Sequence, residues 1–285
     1  MTAQRVTLYD DALSYAAAVT APVAARAIAN NTFLGVLERM VVSAARDDLR
    51  AAVWDGDALV LAALMTPPYV LNLANPGRGI EGAEALAEAL TARSQALPGA
   101  VAETPVVEAF AVAWAKRNPV RAELEHRHLL YQAAKAVAPS GVAGALVLAE
   151  AANTERHVAW ETAFEVDVEA PAEHREHQFV LKQVRGWLAA GVLFDWIANN
   201  QAVAHGVVMP IGKDGARVLA IYTPPELRGR GYAQAMTAAL TQRALDQGRW
   251  CTLFTDADNA ITNKIYPRVG YRYVSEYTSY LFVPA

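Results

Sequence analysis

Val218-Leu219-Ala220-Ile221-Tyr222-Thr223-Pro224-Pro225-Glu226-Leu227-Arg228-Gly229-Arg230-Gly231-Tyr232-Ala233 reads as a strand, a stop and a helix entry in one run. Its first six residues make a continuous apolar stretch, the pattern of a strand buried on both faces. The proline pair ends that strand, because proline has no N–H to give a sheet ladder. Gly229 and Gly231 then precede a helix with apolar positions Ala235, Met236, Ala239, Leu240 and Leu245, closed by Gly248. Cys251-Thr252-Leu253-Phe254-Thr255 is the next short strand. A strand-helix-strand unit of this length implies a parallel pair joined by a right-handed crossover.

Working outward, residues 191–198 and 202–209 flank Asn199-Asn200 as a β-hairpin, and Gly212-Lys213-Asp214-Gly215 is a second turn. Downstream lie a short helix from about 260 to 266 and a final strand pair around 270–283. Upstream, a strand at 144–149 precedes amphipathic helices at 153–165 and 172–187. The amino-terminal half repeats this order. A strand at 5–9 leads into helices through 46, then a hairpin of 49–54 and 58–65 around Asp55-Gly56-Asp57. A strand at 69–74, a helix at 82–97, a strand at 101–103, a helix at 105–116 and a strand at 122–131 complete it. Ala138-Pro139-Ser140-Gly141 has linker composition, dividing the chain into residues 1–138 and 143–285. The expected class is α+β, with two tandem domains, each a mixed antiparallel and parallel sheet flanked by helices.

With 285 residues, 54% hydrophobic and 19% charged, the chain can bury a sizeable core. The net charge of -4 comes from interspersed signs, with no basic face, which argues against nucleic acid or anionic membrane as a partner. The early apolar stretch 12–29 is broken by Pro22 and Arg26, so no transmembrane helix is expected. Cys251 is the single cysteine, and the sequence starts without an apolar signal segment, which points to a cytoplasmic protein with small-molecule partners.

A turn such as Arg228 to Ala233 between a buried strand and a helix offers converging backbone N–H groups, a helix dipole and glycines without Cβ atoms. It is an anion cradle. Glycine lets a pyrophosphate approach the main chain, and Arg228 and Arg230 add charge outside the helix end. Gly-x-x-x-x-Gly-Lys-Ser/Thr is absent, so a nucleoside-triphosphate P-loop is unsupported. The plainer alternative is a helix-entry turn with exposed arginines.

Here the sequence resembles the GNAT superfamily of N-acetyltransferases. Arg228-x-x-Gly231-x-Ala233 fits its Arg/Gln-x-x-Gly-x-Gly/Ala pyrophosphate motif, and Asn259, Tyr266, Gly270 and Tyr271 fit a second segment after the next strand. The resemblance covers residues 144–283 through motifs, and residues 1–138 through element order alone, as a degenerate copy without cofactor. It implies acetyl-CoA, or another short acyl-CoA, as cofactor. Ile221, Tyr222 and Thr223 would pair with its pantetheine arm between two splayed parallel strands. Arg228, Gly229, Arg230, Gly231, Tyr232, Ala233 and Gln234 would hold the pyrophosphate. Asn259 would hydrogen-bond the arm, and Tyr266 would be the general acid that protonates the departing thiolate. A phenol of pKa about 10 suits that role.

The resemblance also implies a base, commonly a carboxylate on the strand before the motif, but residues 218–223 offer none. Glu226 reads better as a solvated loop carboxylate. Asp195, Asp256 and His205 stay open, each more readily structural. His126 with His128, and His174 with His177, share faces but lack a third ligand, so no metal site is expected. Cys251 reads as a small buried residue, and no Gly-x-Ser-x-Gly elbow occurs. Gly77-Arg78-Gly79-Ile80-Glu81-Gly82 matches the dinucleotide fingerprint but follows a hairpin, where the other half has its own glycine turn. Counting from Arg78 puts Glu81 at the position of the close-approach glycine.

The expected function is transfer of an acetyl or short acyl group from acyl-CoA to an amine of a small molecule or peptide by direct attack. The alternatives are a non-catalytic acyl-CoA-binding or sensing module, and a nicotinamide-linked enzyme using the amino-terminal glycines. Tyr277 and Tyr280 are candidates for the acceptor pocket.

Overall fold

The computed structural model describes residues 4–42, 48–168, 176–259 and 262–285. The first half contains β1 (Arg5–Leu8), α1 (Ala12–Ala24), α2 (Asn31–Val42), β2 (Leu49–Asp55), β3 (Ala58–Met65), β4 (Leu71–Ala74), α3 (Ala83–Ala92), β5 (Gly99–Glu103), α4 (Thr104–Ala115) and β6 (Val120–Ala133). The second contains β7 (Ala145–Leu148), α5 (Thr154–Val168), α6 (His177–Ala189), β8 (Leu193–Ala198), β9 (Gln201–Ile211), β10 (Gly215–Tyr222), α7 (Tyr232–Asp246), β11 (Trp250–Asp256), α8 (Thr262–Val269) and β12 (Tyr271–Pro284). The two halves run in the same order, as the sequence pattern predicts. Residues 43–46, 172–175 and 260–261 of the expected helices lie outside the described residues, and His174 with them.

Two expectations are corrected. The final strand pair is one strand, β12, unbroken from Tyr271 to Pro284. The helix expected over 82–97 ends at Ala92, because Ser94 takes a left-handed φ of 52° and its N–H bonds back to Thr91 O. The β8–β9 hairpin is tight for a local reason: Asn199 and Asn200 both take positive φ, 51° and 60°, a conformation that asparagine tolerates better than most residues.

The chain divides into two compact units, Met1–Leu130 with Thr255–Asp258 and Val274–Ala285, and Tyr131–Phe254 with Asn259–Tyr273. The first unit has strand order β1-β2-β3-β4-β5-β12-β6. The β1–β2, β2–β3, β3–β4 and β5–β12 ladders are antiparallel and the β4–β5 ladder is parallel. The last strand of the chain thus completes the sheet of the amino-terminal half, with Tyr277 opposite Glu103 and Leu281 opposite Gly99. Alternation along β2 supplies both faces of that sheet. Ala51 and Val53 pack with Leu86, Leu90, Phe110 and Trp114, while Ala52 packs with Tyr15, Phe33, Leu37 and Met40. Each such buried large side chain stabilises the fold by about 1.5–3 kcal/mol.

In the second unit the order is β7-β8-β9-β10-β11, antiparallel up to β10 and parallel between β10 and β11. Helices α5 and α6 bring Val158, Val180, Val184 and Trp187 onto Leu193, Val207 and Ala220. On Gly206 of β9, a Cβ would lie 2.4 Å from Ile221 Cδ1 and 3.0 Å from Leu240 Cδ1, so glycine there lets α7 close on the sheet. No helix among the described residues is long and apolar enough to cross a membrane.

Candidate functional site

The parallel pair β10 and β11 begins together and then parts. Its register runs Gly215↔Trp250, Ala216↔Cys251 and Arg217↔Thr252, and stops there, although β10 continues to Tyr222 and β11 to Asp256. On its other side β10 stays paired with β9 as far as Tyr222↔His205, through an irregularity between Leu219 and Tyr222. Ala220 sits in that irregularity with a positive φ of 52°. A left-handed alanine inside a strand is a bulge, and a bulge bends the strand that carries it. Beyond Arg217 the ladder gives the backbone groups of β10 no β11 partner.

The turn at the mouth of β10 has the predicted character. Pro225–Leu227 forms a 3-10 turn, Gly229 has φ +75°, and Gly231 caps α7 with φ +81° and no side-chain capping bond. The first-turn amides of Tyr232, Ala233 and Gln234 have no intrahelical acceptor by construction. That first turn carries no acidic residue. A Cβ on Gly229 would meet nothing within 4 Å, whereas one on Gly231 would lie 2.8 Å from Val142 Cγ2.

The two arginines differ. Arg228 turns back on the strand end: its Nε donates to Thr223 O at 2.9 Å, its guanidinium lies 5.6 Å from the centre of the Tyr222 ring, and it pairs with Asp167. Arg230 is exposed, with a long 3.4 Å contact to Glu226 O. Tyr222, Thr223 and Arg228 are therefore brought together, and Arg230 projects from the turn. Glu226 is exposed in the 3-10 turn.

Asn259 accepts the Asn263 N–H at 3.1 Å, opening α8. Tyr266 on that helix lies among aromatic rings, 6.1 Å from Tyr131 and 6.0 Å from Tyr271, and burial pushes its hydroxyl up to about 12. A phenol held there is protonated at neutral pH. Cys251 is fully buried, with its thiol pushed up to about 11 by burial, and Tyr271 Oη lies 3.5 Å from its sulfur. It is not a thiolate nucleophile. Tyr277 and Tyr280 stand on the part of β12 paired with β5, where the Tyr277 hydroxyl donates to Ala29 O and Tyr280 packs on the core of the first unit. The sequence could not assign them there without knowing the partner of β12.

One cluster exceeds what the sequence suggests. His157 on α5 and His205 on β9 are wholly buried, stacked at 5.4 Å with an interplanar angle of 6°, and their Nδ1 atoms are 3.2 Å apart. Asp195 on β8 receives Arg156 Nη2 at 2.6 Å, and the same Nη2 lies 3.4 Å from His157 Nε2. The available signal was a polar face on α5, where His157, Glu161 and Glu165 recur every four residues and are all buried. Among the described residues, no group of three or more His, Cys, Asp or Glu could hold a metal ion.

Residues 198–281 match the family model of the FR47-like proteins. No curated protein matches the chain in sequence. Solved structures match along nearly its whole length. A GNAT-family acetyltransferase from Colwellia psychrerythraea superposes with TM-score 0.61 at 13% identity, over 98% of this chain and 99% of that one. A Drosophila protein gives TM-score 0.64 at 13% identity, over 99% of each chain. A GCN5-related N-acetyltransferase from Sphaerobacter thermophilus gives 0.59 at 13%, over 97% of this chain and 94% of that one. The chain has the GNAT fold in tandem.

The amino-terminal copy of the GNAT fold has the same parted strands, with a different filling. The β4–β5 ladder pairs Leu71↔Ala100 and Asn72↔Val101 and then stops. Arg26 of the same unit bridges the ends: its guanidinium holds Glu103, at the end of β5, with bonds of 2.7 and 3.0 Å, and donates to Asn75 O, after β4, at 3.1 Å. Asn75 Oδ1 accepts both the Gly77 and the Arg78 N–H at 2.8 Å. Those turn amides are already satisfied. The count from Arg78 also needs correction: Gly82, with φ +86°, caps α3 as Gly231 caps α7, so Glu81 does not take the glycine's place. Gly82 instead lies against the strands, where a Cβ would meet Val60, Leu61 and Val53 at 3.1–3.3 Å.

Proposed function

We propose that the protein is an N-acyltransferase that moves an acetyl or short acyl group from acyl-CoA to an amine of a small molecule or peptide, acting in the cytoplasm. The carrying observation is that the β10–β11 ladder stops at Arg217 while β10 runs on toward an uncapped, glycine-flanked helix start. That arrangement suits a long neutral arm ending in a diphosphate. The strand end offers backbone hydrogen bonds to amides, and the turn offers N–H groups and a helix dipole to negative charge.

In this reading residues 143–285 do the chemistry. Ile221, Tyr222 and Thr223 bind the arm, residues 228–234 bind the pyrophosphate, and Asn259 steadies the arm. The acceptor nitrogen attacks the thioester carbonyl, the C–N bond forms as the C–S bond breaks, and Tyr266 gives its proton to sulfur. The phenol is protonated at neutral pH, so it carries a proton to give as charge develops on sulfur. Residues 1–138 bind no cofactor, which the filled strand ends and satisfied turn amides support.

Calorimetric titration with acetyl-CoA, followed by a mass-spectrometric screen of amines and peptides, tests the reading. Binding with acylated product supports it. Binding without any product leaves the sensing module as the better account, and absence of binding rejects both.

A further inference from the structure

Four side chains of the carboxy-terminal unit form a row: Asp195, Arg156, His157 and His205. The proton positions along it follow from one asymmetry. Two groups face His157 Nε2: Asp195 Oδ2 at 3.6 Å, too far for a hydrogen bond, and Arg156 Nη2 at 3.4 Å, a guanidinium nitrogen that only donates, so Nε2 is the acceptor. His157 then carries its proton on Nδ1 and gives it to His205 Nδ1 at 3.2 Å. His205 is left with its proton on Nε2. That N–H is fully buried and has no hydrogen-bond partner among the described residues. A buried donor left unpaired carries a desolvation penalty, which a ligand oxygen would remove.

We propose that Asp195, Arg156 and His157 are positioning residues that lock His205 as a neutral donor, and that His205 Nε2–H is a catalytic hydrogen bond to the thioester carbonyl oxygen. The assignment rests on the acyl-transfer reading. Its location supports it: His205 is the register partner of Tyr222, the last residue of β10, beyond the point where the β10–β11 register has stopped. Its ring meets those of Tyr222 and Trp160 near edge-on at 6.1 and 5.4 Å. Thr223 Oγ1, the next residue's hydroxyl, is likewise buried with no partner among the described residues.

The chemistry suits a donor better than a base. The groups facing His205 are His157 and Arg156 from α5, Asp195 from β8 and Tyr222 from β10. Burial, His157 and Arg156 hold its pKa at about 3, so it stays neutral at physiological pH and has little appetite for a proton. As the amine attacks, negative charge gathers on the carbonyl oxygen and returns when the C–S bond breaks. A fixed neutral N–H strengthens its bond to that oxygen in the transition state. His205 gains and loses no proton: the amine proton leaves to water, and sulfur takes the one from Tyr266.

The test has two independent arms on the full chain. With ¹⁵N-labelled histidine, long-range ¹H–¹⁵N correlation between pH 5 and 8 is expected to find Nε2–H on His205, Nδ1–H on His157, and no imidazolium at either. Opposite tautomers, or titration in that range, overturn the lock whatever the activity. In kinetics, His205→Ala is expected to lower kcat by about 100- to 1000-fold, the scale of a lost oxyanion donor, with unchanged affinity for CoA itself, which has no acyl oxygen. His205→Gln, whose amide can still donate, should keep more activity than the alanine variant and guards against a folding artefact. Both should keep the wild-type shape of the kcat–pH profile. Wild-type kcat in His205→Ala, or loss of a pH limb in either variant, overturns the donor role alone. A wild-type protein that binds no acyl-CoA overturns the acyl-transfer reading and the ligand oxygen with it.

Discussion

Gly229 and Gly231 pose a clean experiment, because they share a backbone conformation and differ in surroundings. Both have φ near +80°, at +75° and +81°. Alanine at either position meets the left-handed penalty of about 1–2 kcal/mol, offset by about 0.4–1 kcal/mol from a less flexible unfolded chain. The net loss for Gly229→Ala is therefore about 1 kcal/mol, since its new methyl meets nothing within 4 Å. Gly231→Ala adds a contact of 2.8 Å with Val142 Cγ2. Overpacking of that kind costs a further 1–3 kcal/mol or so. Urea denaturation of the two variants should separate them by that increment. Val142→Ala, introduced beside Gly231→Ala, should recover most of it, while doing little for Gly229→Ala. Equal stability of the two single variants, or no recovery in the double variant, would refute the account of how this turn is held.

Four further outcomes are expected. Gly231→Val should weaken CoA binding by well over tenfold, about 1.4 kcal/mol or more, read by calorimetry on folded protein. Tyr266→Phe should lower kcat by about a hundredfold with little change in cofactor affinity, and full turnover in that variant would leave Tyr266 as packing. Titration with a non-transferable acyl-CoA analogue should saturate at about one per chain, and a second equivalent surviving Gly231→Val would show that the amino-terminal copy also binds. Acid should destabilise the second unit: the unfolded chain protonates both histidines below about 6.5, while the folded chain waits until about 4 at His157 and about 3 at His205. Stability is present above 6.5 and falls as pH drops toward 4, by on the order of 3 kcal/mol from His157 alone, and His157→Gln should flatten that slope in denaturation midpoints.

The order of elements was legible because it is a local property. Apolar runs, the Asn199-Asn200 and Asp55-Gly56-Asp57 turns and the proline stop after Thr223 each act on neighbouring residues. The glycine turn was legible for the same reason, since positive φ at Gly229 and Gly231 is a demand on those residues themselves. Strand partnership is a different kind of information. Nothing near Tyr277 says that it will face Glu103, and a strand running from Tyr271 to Pro284 is long enough to be read as two. Charge pairing is equally non-local: Arg228 finds Asp167 61 residues away, and His205 finds His157 at a separation of 48. His205 looked structural because it interrupts an apolar strand. Its partners are what give it a defined tautomer.

The two halves dress one backbone device with different side chains. In each, a parallel pair parts after a short register and a left-handed glycine starts the following helix. In the amino-terminal half a bidentate arginine ties the parted ends together, and an asparagine side chain occupies the turn amides. Glu84 adds negative charge to the first turn of α3, where the helix dipole would otherwise favour an anion. In the carboxy-terminal half the matching arginine comes from the turn itself, leans back over Tyr222, and leaves the first turn of α7 free of acidic residues. The difference lies in where the charge is rooted. An arginine reaching in from α1's end ties the two strand ends together, whereas Arg228, rooted beyond the strand end, bonds back to Thr223 O of its own strand end and pairs with Asp167.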